Sequence, residues 1–453
     1  MTSEVRRKQL VLAAVILGSA VVFLDGTVVN LALPKIGRDL HAGFSSLQWI
    51  ADAYLLSLSA LILLGGSLGD IFGRKRIYLY GLGGFILTSL LCALSPTDHF
   101  LITTRVAQGV FGALLVPGAL SLINTNFPRE ERGQAIGRWT AWTSAAFVLG
   151  PLVGGAILDV ASWRWIFLIN LPLGLACFLL GQSSINESRD SRARRIDYLG
   201  AGLAAFALAG LTYGLIEGPA RHWPAVTITA LILGALFTAL FIWQERRSPD
   251  PMVDLSLFRS RNFSGSNIMT FAMYGALAGF TFALVIYLQS TLHYSSIKAG
   301  LSLLPVSIVM FLFAGRVGKL SSVYGPRRFM TAGPIIAGLG MATLYSLKPG
   351  SSYLLHVLPG VLIFSAGLVL TVAPLTTTVM TSVEDSYSGI ASGINNAISR
   401  AAGVIVIAFL GLFGASNFYH FSMALCALLA ISSGFVSYAF IRTTKPARIT
   451  ARQ

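Results

Sequence analysis

Apolar stretches of about 20 residues recur along the whole chain, separated by short polar links rich in Gly, Pro and Arg. That is the length an α-helix needs to cross the hydrocarbon core of a bilayer at about 1.5 Å per residue. The pattern predicts fourteen spans, near 10–33, 46–69, 77–96, 100–123, 135–159, 164–184, 197–216, 224–243, 264–290, 296–320, 328–347, 352–376, 390–414 and 418–441. Stretches of this length mean helices and not a barrel. The first span is interrupted near its end by Leu24-Asp25-Gly26-Thr27-Val28-Val29-Asn30. An ionisable group at such depth costs about 2.5–3.5 kcal/mol on insertion scales, so Asp25 should face a cavity, a partner charge or an ion rather than lipid.

Composition agrees with the pattern. Of 453 residues, 55% are hydrophobic and only 11% charged, against about 25% charged in a soluble domain. The chain reads as an all-α membrane protein with no room for a large soluble domain. A net charge of +15 could suggest nucleic acid, but its placement argues against that partner. With the N-terminus inside, the fourteen-span order puts 24 of the 33 Lys and Arg on the cytoplasmic side and six outside, with Arg105, Arg316 and Arg400 within spans. This asymmetry predicts a plasma-membrane protein with both termini in the cytoplasm. Cys92, Cys177 and Cys426 all fall within spans and read as small core residues. The six His are scattered without metal-ligand spacing, so no metal site is expected. No Gly-x-x-x-x-Gly-Lys-Ser/Thr occurs, so no cofactor is expected and energy should come from an ion gradient.

Two segments 252 residues apart look alike. Gly66 to Arg76 and Gly318 to Arg328 each carry Gly seven residues before Gly, Leu two after the first Gly, an aromatic residue before the second, and a basic cluster behind. Each follows the second span of a six-span block. The chain therefore divides into an N-terminal bundle (1–184), an inserted pair of helices with flanking loops (185–263), and a C-terminal bundle with its tail (264–453). A short amphipathic helix is expected along 252–259. Parallel halves of this kind suit alternating access, with cargo held between them near the midplane. A monomer is expected, because one chain supplies both bundles.

Asp25 lies about sixteen residues into the first span, roughly 24 Å from its cytoplasmic end. Arg105 and Asp52 enter their spans from outside at similar depth, which predicts a polar cluster in the outer half of the N-terminal bundle. Burial raises a carboxylate's pKa and a nearby Arg lowers it, so Asp25 could be a site where a proton and a cargo compete. It could equally be a structural ion pair with Arg105. Asn395, Asn396 and Arg400 are the main embedded polar groups of the other bundle and could line a cavity or staple helices. Glu217, beside Arg221 and His222, reads as an interfacial loop acid.

Several motifs carry a family resemblance. Leu24-Asp25-x-Thr27-Val28-Val29-Asn30-x-Ala32-Leu33-Pro34, Gly66 to Arg76, Arg105-x-x-Gln108-Gly109-x-x-Gly112, Gly150-Pro151-x-x-Gly154-Gly155, the linker Glu245 to Arg259, and Gly389-x-x-x-Gly393-x-Asn395-Asn396-x-x-x-Arg400 occur in order. Together they resemble the major facilitator superfamily, and within it the fourteen-span drug:proton antiporters. Ala146 stands where the antiporter motif usually begins with Gly, and Ile71 replaces a commonly basic position. Spans 9–14 hold no embedded Asp or Glu, which makes divalent organic cations a less expected cargo.

The resemblance implies proton coupling at Asp25 and Arg105. It implies a substrate cavity among Asn30, Asp52, Gln108, Asn395, Asn396 and Arg400. It implies a cytoplasmic gate at Asp70, Gly73 and Arg74, with Asp70 docking on the helix that starts near Ser388. It implies a tightly packed contact between bundles at Gly150, Pro151, Gly154 and Gly155. The expected function is export of lipophilic small molecules in exchange for protons, with no enzymatic activity. The rivals are a dedicated exporter of one endogenous metabolite or lipid, and a membrane sensor or assembly subunit that does not transport.

Overall fold

The computed structural model describes residues 3–189, 197–384 and 388–442. They form sixteen α-helices: α1 (Ser3–Asp39), α2 (Phe44–Phe72), α3 (Arg74–Ala93), α4 (Asp98–Asn126), α5 (Arg129–Val160), α6 (Trp165–Leu168), α7 (Asn170–Ser184), α8 (Tyr198–Ala220), α9 (Ala225–Arg247), α10 (Arg261–Ser290), α11 (Ser296–Ser302), α12 (Leu304–Tyr324), α13 (Pro326–Leu344), α14 (Leu358–Thr381), α15 (Ser388–Leu410) and α16 (Gly414–Phe440). Two expected spans are each built from two pieces, α6 with α7 and α11 with α12. Among the described residues, twelve helices are long and apolar enough to cross a membrane. The expected spans at 135–159 and 328–347 correspond to α5 and α13, which are not among the twelve. α5 opens on the charged run Arg129-Glu130-Glu131-Arg132, and part of its side chains lie outside the described set. α13 spends its first three positions on Pro326, Arg327 and Arg328 and holds three further Gly and a second Pro. The expected helix at 252–259 is a shorter 3₁₀ turn, Leu255–Arg259, started by Asp254 accepting the Ser256 N–H at 2.9 Å.

Helices α1–α7 pack into one bundle and α10–α16 into another, with α8 and α9 paired beside them. Small residues set the closest approaches. A Cβ on Gly109 of α4 would stand 2.3 Å from the Tyr54 carbonyl oxygen of α2, so only glycine lets these two backbones meet. Glu217 corrects its reading as a loop acid: it is 8% exposed within α8. It accepts the Trp49 indole N–H at 2.8 Å and Arg221 Nε at 2.7 Å, tying α8 to α2.

The two bundles meet unevenly. The largest buried apolar cluster joins Leu33, Ile36 and Ile50 of one bundle to Phe280, Leu284 and Ile407 of the other. Toward the basic loops the clusters separate, one around Val15, Tyr78 and Ile123 and one around Phe263, Met330 and Val379. The described polar links between bundles lie at the far end from those loops. Gln48 Nε2 donates to the Ile407 carbonyl at 2.7 Å, and Gln289 Nε2 to the Leu31 carbonyl at 2.9 Å. Asp159, at the end of α5, accepts the Ser296 and Ile297 N–H groups at 2.9 and 3.2 Å.

Candidate functional site

The site grows from α1. This 37-residue helix holds Asp25 at 2% exposure, inside the bundle rather than against lipid. An acid at that depth needs donors, and two helices supply them. Arg105 Nη1 of α4 forms an ion pair with Asp25 Oδ2. Gln108 Nε2, one turn further along α4, donates to Oδ1 at 3.0 Å, and Asn170 Nδ2 of α7 to the same oxygen at 3.2 Å. Gln108 Oε1 in turn accepts Arg105 Nη1 at 2.6 Å, and Ser89 Oγ of α3 accepts from Gln108 at 2.9 Å and Asn170 at 3.3 Å. Arg105 also donates through Nε to the Ile50 carbonyl at 3.3 Å, and its guanidinium lies 4.3 Å from the Tyr54 ring centroid. The guanidinium is 1% exposed. A buried ion pair of this kind is tolerable only because the surrounding amides and carbonyl complete its hydrogen bonds.

Asp52 does not join the cluster, contrary to the expectation that Asp25, Arg105 and Asp52 gather together. It is fully buried, and neither carboxylate oxygen has a hydrogen-bond partner among the described residues. Four residues after Gln48 on α2, it lies on the face that meets α15, about 100° per residue around the helix from the side carrying Tyr54. Asn30 is half-buried and makes no hydrogen bond among the described residues.

The α15 amides separate in role. Asn395 Nδ2 donates to Asn267 Oδ1 at 3.1 Å and Thr270 Oγ1 at 2.7 Å, stapling α15 to α10. Asn396 is exposed, and among the described residues its side chain bonds only the Ser392 carbonyl of its own helix, at 3.2 Å. Arg400 is half-buried, and its buried Nε has no partner among the described residues.

At the basic end Asp70 pairs with Arg74 at 2.7 Å. The residues just before the α15 start, 385–387, lie outside the described set, as does the side chain of Ser388, so the expected docking of Asp70 falls there. Gly73 separates α2 from α3 at φ +116°, and a Cβ there would lie 2.7 Å from the Glu187 carboxyl carbon. Glu187 caps the start of α3, accepting the Lys75 and Arg76 N–H groups at 3.1 Å each. The matching Gly325, between α12 and α13, has φ +85°.

The α5 glycines act on two partners. A Cβ on Gly150 would reach Thr27 Oγ1 at 2.6 Å, and one on Gly154 the Val28 Cγ1 at 2.4 Å, so both admit α1. Gly155 faces the other bundle, where a Cβ would stand 2.6 Å from Ile297 Cα. The side chain of Pro151 lies outside the described ones. Asn170, Ser89, Glu187 and Asp159 were not singled out from sequence. A lone amide between Ile169 and Leu171 was the one available signal for Asn170; the others look like ordinary loop or helix residues.

Two helical bundles that meet across a seam, with a buried charged cluster on the first helix, define a polytopic membrane protein of an architecture that suits alternating access. The sequence profile described as Major Facilitator Superfamily matches residues 15–407, and the chain belongs to that superfamily. It is 37% identical over 408 residues to "Multidrug resistance protein Stp" of Mycobacterium tuberculosis (strain CDC 1551 / Oshkosh), covering 90% of this chain and 76% of that one. It is 33% identical over 417 residues to "Tetracenomycin C resistance and export protein" of Streptomyces glaucescens, covering 90% and 76%. Its fold matches a crystal structure of a POT family transporter with a TM-score of 0.73, at 13% identity and 96% coverage of both chains.

Proposed function

We propose that this protein is a secondary active exporter that moves lipophilic small molecules out of the cell in exchange for protons. The observation that carries the reading is the Asp25 cluster: one buried carboxylate held by Arg105, Gln108 and Asn170 on helices α4 and α7. Relatives named for multidrug resistance and for tetracenomycin C resistance and export support the cargo class. On this reading fourteen helices cross the plasma membrane, α5 and α13 included. Both termini and the basic loops are cytoplasmic, the chain works as a monomer, and the closed far end faces outward.

The coupling follows from the hydrogen bonds. A proton on Asp25 removes the negative partner of Arg105 and converts one acceptor oxygen into a donor. Arg105 then keeps only the Ile50 carbonyl and Gln108 Oε1, and the tie from α1 to α4 and α7 loosens. Leu31, six residues along α1, holds Gln289 of the other bundle. A shift of α1 at Asp25 therefore reaches the closed far end without an intermediate. Arg400, with no described partner on its buried Nε, and Asp52, with none on its carboxyl oxygens, lie on the two helices of the α2–α15 seam, where we place the cargo.

The test is ethidium uptake into inside-out proteoliposomes with and without an imposed pH gradient. Gradient-dependent uptake, lost when the gradient is collapsed, is the expected result. Uptake indifferent to the gradient would overturn proton coupling, and no uptake of any lipophilic probe would overturn the cargo class.

A further inference from the structure

The charge of the C-terminal half is one-sided. From Arg261 onward the acidic residues are Glu384 and Asp385, both just before α15. Helices α10–α16 therefore carry no acid, while Arg316 and Arg400 lie at depth within α12 and α15. Arg400 stands about 18 Å along α15 from Ser388, near the middle of that helix.

Its direction follows from the helix repeat. Gly393, Arg400 and Ile407 recur every seven residues, about two turns, and so share one face. Both ends of that face meet α2. A Cβ on Gly393 would lie 3.1 Å from Leu63 Cδ2, and the Ile407 carbonyl accepts Gln48 Nε2 at 2.7 Å. Arg400 thus faces α2 across the seam, between these two contacts. Among the described residues, the one ionisable group whose charge acts on it is Tyr54 of α2. Asp52 of the same helix is fully buried and does not act on it.

The guanidinium is always protonated and presents five donors. Its Nε is buried without a partner. Its two Nη atoms also make no hydrogen bond among the described residues, yet they are not sealed off as Nε is. Asn396, one turn toward the basic loops, is exposed. Arg105 is the contrast within the same molecule: an acid, an amide and a carbonyl complete its bonds. Arg400 has the burial without the anion, since a phenol such as Tyr54 is neutral at neutral pH. A shielded charge of this kind is costly until an opposite charge reaches it. The two Nη groups form the planar fork that matches a carboxylate.

We propose that Arg400 is an anion anchor in the seam, and that the compounds it selects are lipophilic carboxylic acids, whose two oxygens take the Nη donors. The inference rests on the exporter reading for transport but not for binding. A cargo without an acid, such as ethidium, forgoes this anchor and binds through apolar contacts alone.

The experiment measures binding to the full-length protein in phosphatidylcholine nanodiscs, without a gradient, by saturable energy transfer from tryptophan to pyrene. One probe is 1-pyrenebutyric acid, ionised at neutral pH. The other is 1-pyrenebutanamide, with the same ring and chain but no charge. Arg400→Gln should weaken binding of the acid about tenfold, the loss of hydrogen bonds between charged groups, and leave the amide unchanged. Partition into lipid is common to both proteins and cancels in the comparison. Asn396→Glu sets a carboxylate one turn from Arg400 on the same helix, where it engages the guanidinium internally. It should weaken acid binding with the same selectivity, which keeps the proposal testable if Arg400→Gln does not fold. Acid binding unchanged by these substitutions, or acid and amide weakened alike, would overturn the proposal. Displacement of the acid by equimolar chloride would show a site for inorganic anions and overturn it too. Failed ethidium uptake with acid-selective binding intact defeats the exporter reading alone; intact uptake without acid selectivity defeats the anchor alone.

Discussion

Asp25 carries the highest stakes of any single residue, because its charge is balanced by Arg105 and its lone pairs by two amides. Asp25→Asn keeps the shape and removes the charge and one acceptor oxygen. The expected outcome is a folded protein whose gradient-driven ethidium uptake falls to that of empty liposomes; uptake at the parent rate would remove Asp25 from the coupling path. Arg105→Ala is a different perturbation. It leaves a buried carboxylate without its cation, which costs about 3–5 kcal/mol when a buried pair is broken. A marked fall in the thermal midpoint should accompany loss of transport. Combining it with Asp25→Asn should recover much of the stability but none of the transport. If the double variant is as unstable as the single one, the ion pair is not the source of the loss. Arg105 and Gln108 were legible as a motif one helical turn apart. Asn170 was not, since its partner lies 145 residues away in sequence and only the packing of α7 on α1 brings them together.

At the scale of elements, the apolar runs place nearly every helix, because span length is dictated by bilayer thickness rather than by local propensity. What the runs miss are the joints. The break between α6 and α7, the Glu187 cap on α3 and the depth of Glu217 in α8 all depend on neighbours distant in sequence. Asp52 shows the same limit from the other side. Depth grouped it with Asp25, but its helical face turns it toward α15. The Gly66–Arg76 and Gly318–Arg328 repeat was readable, and both second glycines prove to sit at positive φ between two helices. Gly73→Ala tests that joint. An L side chain there suffers strain of about 1–3 kcal/mol, and its Cβ displaces the Glu187 carboxylate from the Lys75 and Arg76 amides. The expected outcome is a lowered thermal midpoint and faster proteolysis between α2 and α3. Adding Glu187→Ala should cost less in this background than in the parent, because the cap is already lost. Equal costs in both backgrounds would separate Gly73 from Glu187.

At the scale of the whole molecule, the far end is closed by contacts of two kinds. Apolar packing around Ile50, Phe280 and Ile407 gives it area, and three polar links give it register. Asp159 makes the most specific of these links, because its two oxygens accept consecutive N–H groups at the start of α11 while Gly155 lets that helix approach. Hydrogen bonds to a charged group are roughly twice as strong as neutral ones, so Asp159→Asn should weaken the link by about 1 kcal/mol. That corresponds to about a fivefold shift between closed and open far ends. Spin labels at Val160→Cys and Lys298→Cys, on exposed positions flanking the contact, report the distance between bundles directly. Cys92, Cys177 and Cys426 are buried and should stay unlabelled. The parent should give one short distance, and Asp159→Asn a second, longer one. A distance distribution unchanged by the substitution would mean that apolar packing alone holds the far end closed. The path from Asp25 along α1 to Leu31 and Gln289 would then remain as the means of opening it.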